Sequence, residues 1–130
     1  MTFTPVPKGR SRFEEKVKQR VAELRNERSV SVQVDHRDGY RCRVCQRSSN
    51  INGVGLLERG HRHHIDYRSA GGLTTTANMC HLCSRCHAAI HAGDLRLSGD
   101  ADQRDPITGK LNGLKVEKRT ESGWTTARWV

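Results

Sequence analysis

Cys80-His81-Leu82-Cys83-Ser84-Arg85-Cys86-His87-Ala88-Ala89-Ile90-His91 holds three cysteines and three histidines in twelve residues. Cys83-x-x-Cys86 is a metal knuckle, and an upstream knuckle, Cys42-Arg43-Val44-Cys45, supplies its partner. Two such knuckles offer four soft thiolates to one tetrahedral ion, the preference of Zn²⁺. The 37 residues between Cys45 and Cys83 exceed the interval of a simple finger. An insertion therefore lies between the knuckles, and a β-hairpin fits that length. Cys80-His81-Leu82-Cys83 is also a C-x-x-C, so Cys80 or Cys86 completes the set. The reading favours Cys86, which would pin the start of a helix carrying His87 and His91. Cys80 then becomes a small buried hydrophobe, the common role of a free cysteine.

The histidines form a second group. His87 and His91 stand four apart, which places them on one helical face. His63 and His64 are adjacent upstream. With His63 facing His87 and His91, three imidazoles can hold one divalent ion and leave positions open for water and a phosphate oxygen. Neighbours on a strand point to opposite sides, so His64 need not bind that ion. A free imidazole titrating near neutrality can take a proton from water.

Outward from this centre the chain divides into recognisable parts. Residues 1–10 hold two of the three prolines and read as a flexible lead. Ser11 and Glu14 have capping-box spacing, and Phe13, Val17, Val21 and Leu24 share one face of a helix running to about Glu27. Val30, Val32 and Val34 at period two predict a short strand over 29–35, and Asp38-Gly39 a turn. Residues 46–55 read as a loop, Leu56–Tyr67 as a strand and Ser69–Gly72 as a turn. Ala88, Ala89 and Ile90 suit a helix that Gly93 stops. After a loop over 99–113, Leu114–Arg119 and Trp124–Val130 flank Thr120-Glu121-Ser122-Gly123 as a β-hairpin. The expected organisation is a lead over 1–10, a helix and short strand over 11–36, a core over 37–98 and a loop-hairpin tail over 99–130 that packs on the core.

Bulk properties agree with a metal-stapled domain. Of the 130 residues 34% are apolar, a low share for a globular domain, and a thin core needs a staple. The formal charge is +9, which favours a polyanionic partner. No stretch of 18 apolar residues is present, and Met1–Arg10 lacks the apolar region of a secretory signal. A cytoplasmic protein is the expectation, and there five cysteines point to metal rather than disulfides.

Taken together these residues resemble the HNH endonucleases, the ββα-metal nucleases. The matching stretch reads Arg37-Asp-Gly-Tyr-Arg-Cys-Arg-Val-Cys45, then His63-His-Ile-Asp-Tyr-Arg-Ser-Ala-Gly-Gly72, then Asn78 to His91. The family's three letters fall on His64, Asn78 and His87. The resemblance implies a small α+β fold, a ββα-metal, treble-clef-like core carrying an N-terminal helix and a C-terminal β-hairpin. It implies a metal-dependent DNA endonuclease in which His64 activates water. His63, His87 and His91 would hold one catalytic ion (Mg²⁺, Mn²⁺, Ni²⁺ or Zn²⁺), and Asn78 would brace the loop beside them. Cys42, Cys45, Cys83 and Cys86 match the structural zinc of one branch. Arg68, between the base and the Gly-Gly turn, is placed to touch a phosphate. Products with 5′-phosphate and 3′-hydroxyl ends are implied. DNA would be bound mainly through its backbone, by a monomer or homodimer without membrane attachment, in a bacterial or phage-infected cell. The alternative is a non-catalytic zinc-knuckle module that binds nucleic acid; it accounts for the cysteines and the charge but not for the histidines.

Overall fold

The computed structural model describes residues 11–50 and 58–130. The expected lead over 1–10 lies outside the described residues, as do residues 51–55 of the expected 46–55 loop and 56–57 of the expected 56–67 strand.

Helix α1 runs from Arg12 to Asp38. Ser11 caps it by accepting the Glu14 N–H at 3.2 Å, and Glu14 and Glu15 place negative charge at its positive end. Gly39, at φ 62°, closes it in the left-handed conformation that glycine adopts without penalty. The expected strand over 29–35 is therefore corrected: these residues are helical. Val30, Val32 and Val34 are two apart in a strand pattern, but Val30 and Val34 are also four apart, and the helical spacing wins through tertiary contacts. Val30 and Val34 are buried against Met79, whereas Val32 is 48% exposed. β-propensity yields here to packing and to the buried carboxylates of Asp35 and Asp38 on the same side. The first half of α1 differs, since residues 11–26 are all exposed, Phe13, Val17, Val21 and Leu24 among them.

Strand β1 (Ser49–Asn50) pairs in parallel with β2 (Glu58–His64), which pairs antiparallel with β3 (Met79–Cys83). The β2–β3 hairpin, with a loop over 65–78, is the insertion expected between the knuckles. Helix α2 (Ser84–His91) follows β3 directly, and Gly93 just beyond it has φ 81°. A second antiparallel sheet joins β4 (Leu95–Gly99), β5 (Leu114–Thr120) and β6 (Gly123–Trp129), the last two forming the expected C-terminal hairpin. The result is the expected α+β fold.

Register explains the layering. His63 pairs with Cys80 and Arg62 with His81, so alternate residues of the hairpin meet different helices. On one face Arg62 and His81 reach Asp35 of α1. On the other, Cys80 and Leu82 enter a core with Cys42, Cys86, Ile90, Leu114 and Val116. That core ties the knuckles and α2 to β5. Arg43 locks the same junction: it is 3% exposed, pairs with Asp38 at 3.1 Å, and donates to the carbonyls of Ala101 and Val130 at 2.9 Å each. No helix among the described residues is long and apolar enough to cross a membrane.

Candidate active site

The Sγ atoms of Cys42, Cys45, Cys83 and Cys86 lie within 4.8 Å of one another, and Cys80 is not among them. Cys45 and Cys83 are 3.7 Å apart. Zn–S bonds of about 2.3 Å in a tetrahedron require an edge of about 3.8 Å, so the thiols fit that ion. Burial pushes the Cys42 and Cys86 thiols up, which favours their neutral forms until a cation compensates. Burial acts likewise on Cys45, but hydrogen bonds from the Arg47 backbone and the neighbouring thiols outweigh it and hold Cys45 low. Cys80 is fully buried and pushed up to about 12, first by desolvation and then by Asp38; it is a protonated core residue.

The second cluster is built by β2 and α2. His63, His87 and His91 offer ring nitrogens within 4.8 Å of one another. Helical spacing brings His87 and His91 together, with their Nε2 atoms 3.0 Å apart. For metal–nitrogen bonds of about 2.0–2.1 Å this edge suits ligands near a right angle, whereas a tetrahedron needs about 3.4 Å. His63 is buried and pushed down to about 4 by desolvation and then by the neighbouring imidazoles of His87 and His91. Burial, then His61 and His91, also lower His87. Neutral imidazoles are the form that binds a metal.

His64 turns the other way. Its Nε2 lies 3.1 Å from Thr74 Oγ1, on the face of the hairpin that meets α1. Desolvation and the charge of Arg68 lower its pKa, opposed by Glu27. A groove of about 620 Å³ nevertheless reaches both sides of the strand, lined by His63, His64, Tyr67, Arg68, His87 and His91. Arg68 is half exposed at its mouth and pairs with Glu27 at 2.7 Å.

Asn78 organises the loop between β2 and β3. Its Oδ1 accepts the Asp66 N–H at 2.8 Å, and its Nδ2 donates to the carbonyls of Asp66 and Leu73 at 3.1 and 2.8 Å. It thus holds both ends of the turn that carries Arg68. Gly72 completes that turn, because a Cβ there would run into the Asp66 carbonyl.

Three contacting residues went unread in the sequence. Thr74 sits in a run of three threonines, with nothing local to distinguish it. Tyr67 packs edge-on against His63 and stacks on His91. His61 stacks flat on His87, with ring centroids 4.3 Å apart. Of these only His61 had a usable signal, since it stands two before His63 on the same strand face. A buried network was also unread: His81 joins Asp35 at 3.2 Å and Ser49 at 2.6 Å, and Gly60 leaves room for its ring.

Residues 42–93 match the family model described as HNH endonuclease. The chain is also 34% identical over 71 residues to Anaredoxin from Nostoc sp. (strain PCC 7120), an alignment covering 54% of this chain and 82% of that protein. No solved structure matches.

Proposed function

The chain belongs to the HNH endonuclease family, and from that premise we propose that it is a metal-dependent DNA endonuclease. One observation carries this reading: three converging imidazoles and one diverging imidazole share a groove. A module that only bound nucleic acid would need neither.

His64 is the general base. A tautomer that donates its Nε2 proton to Thr74 Oγ1 leaves Nδ1 as the basic nitrogen. Its lowered pKa keeps it unprotonated at neutral pH. It takes a proton from water as the water oxygen attacks phosphorus in line with the departing 3′ oxygen. A divalent ion held by His63, His87 and His91 would supply Lewis-acid stabilisation of the charge building on the phosphate and the leaving oxygen. Asn78 and Gly72 fix the loop that presents Arg68 to the substrate. The cysteine cluster is a structural zinc site that secures the junction of the knuckles and α2. The charge of +9 attracts the DNA backbone with little regard to sequence, an attraction that falls as salt rises.

Nicking of supercoiled plasmid with Mg²⁺ or Mn²⁺, with EDTA, and by His64→Ala tests the reading. Cleavage should require the ion, and His64→Ala should lower the rate about 10²–10⁴-fold. An unchanged rate in His64→Ala removes the base assignment. Absence of cleavage with every divalent ion favours the binding module.

A further inference from the structure

The C-terminal sheet lies beyond the matched residues 42–93, apart from the turn that enters it, yet it forms one wall of a cavity shared with the histidine cluster. This cavity, about 270 Å³, is lined by His63, Tyr67, Ile90, Leu95, Arg96 and Trp124 among others. Polar and ring contacts fix its wall. Arg96 donates from Nε and Nη2 to the two carboxylate oxygens of Glu117, each at 3.0 Å, and its guanidinium lies 4.4 Å from the Trp124 ring centroid. Cross-strand register explains the meeting: Arg96 pairs with Glu117, Glu117 with Thr126 and Arg119 with Trp124, so Arg96 and Trp124 project from the same face.

The charge balance decides what such a wall would receive. Glu117 engages Arg96 through both oxygens and is also 3.9 Å from Lys115 Nζ. Glu117 thus answers Arg96, while Lys115 and Arg119 on the same face leave the surroundings net positive; at the cavity a guanidinium lies over an indole, with Ile90 and Leu95 among the apolar lining. A nucleotide would find cations for its phosphate on this face, while a planar base would meet the stacking surfaces of Trp124 and Arg96. Trp124 is still 37% exposed, so part of the ring is open to a partner.

We propose that this cavity seats one unstacked nucleobase of the nucleic-acid substrate, with Trp124 and Arg96 as the stacking wall. The proposal rests on the endonuclease reading, which places a phosphate at His63, His87 and His91. A base seated beside that phosphate has left the duplex stack, so single-stranded or distorted DNA is the preferred substrate.

Binding and cleavage test the two readings separately. Fluorescence of the zinc-loaded 130-residue chain carrying His64→Ala and Trp129→Phe leaves Trp124 as its only indole reporter. Titration with oligo(dT) should quench its emission, and with a fully paired duplex of equal length it should not. In a His64→Ala background Trp124→Ala should weaken oligo(dT) binding on the order of tenfold. Trp124→Phe should recover most of that loss, and duplex affinity should stay within about twofold, the scale at which stacking is not involved. Unchanged zinc content and far-ultraviolet circular dichroism exclude misfolding as the cause. Equal losses for single-stranded and duplex DNA, or no loss for either, overturn the proposal. Trp124-dependent oligo(dT) binding together with plasmid nicking indifferent to His64→Ala would leave the base seat standing and remove the general-base reading. Nicking that needs His64 with no Trp124-dependent binding would do the reverse.

Discussion

Cys80 and Cys86 carry the same side chain on either side of Cys83, and only one of them meets the other knuckle. Cys86 lies at the start of α2, where the chain turns back toward Cys42 and Cys45. Cys80 points from β3 into the core. Cys86→Ser should therefore lose bound zinc, while Cys80→Ala should keep a full equivalent and lose only packing. Zinc release measured with a colorimetric chelator against protein concentration checks both. Asn78 is a second test at this scale. Replacing it with alanine removes three hydrogen bonds to the backbone of the 66–73 turn. Asn78→Ala should lower kcat for plasmid nicking about 10–100-fold, the scale of a lost supporting contact, with little change in the zinc content of the cysteine site.

At the scale of elements, α1 has two halves with different physics. From Val30 onward it is held by Met79, by the ion pairs of Asp35 and Asp38, and by Arg37. Before Asn26 it is exposed on every side. Val34→Ala should cost about 1–3 kcal/mol, because Val34 is wholly buried and leaves a cavity. Val17→Ala should stay within about 0.5 kcal/mol. Urea denaturation of both variants compares them directly, and a large loss at Val17 would mean that the exposed half is covered in solution. The start of α1, the C-terminal hairpin and α2 were legible because a capping serine, a glycine turn and alternating apolar residues are local signals. The strand expected over 29–35 is not observed: Val30, Val32 and Val34 fit a period of two, but Val30 and Val34 also fit the helical spacing of four. Long-range contacts distinguish them: Met79, 45 residues beyond Val34, and the partners of Asp35 and Asp38.

Across the whole molecule, buried and half-buried ion pairs join elements that the thin apolar core alone would hold weakly. Arg37 links α1 to the loop after β4 through Asp102 at 2.8 Å, and Thr76 donates to the same carboxylate at 2.6 Å. Burial would raise the Asp102 pKa, but the bonds from Thr76 and Arg37 outweigh it and hold it below the usual carboxylate value. A group depressed in this way stabilises the fold above its ordinary pKa of about 3.9 and loses that contribution as pH falls through its lower folded value. Asp102→Asn should therefore lower Tm near neutrality, and its difference from the parent chain should shrink as pH falls below about 4. Thermal melts across that range measure the convergence; a difference that grows with acid would contradict the assignment.

The types and spacings of the candidate metal-ligating side chains were determined by the sequence itself, because C-x-x-C and H-x-x-x-H are short-range geometries that one turn of chain creates. Those spacings suffice to mark two groups of potential ligands and the hairpin between them. The meeting of His63 with His87 and His91, the exclusion of Cys80 and the separation of His64 from its neighbour were decided by the tertiary structure. They depend on which face of β2 meets which helix, a matter of register across the hairpin and of long-range burial. The Trp124 and Arg96 wall belongs to the same class. Its residues are 28 apart in the chain, and only the pairing of β4, β5 and β6 brings them to one face beside the histidines.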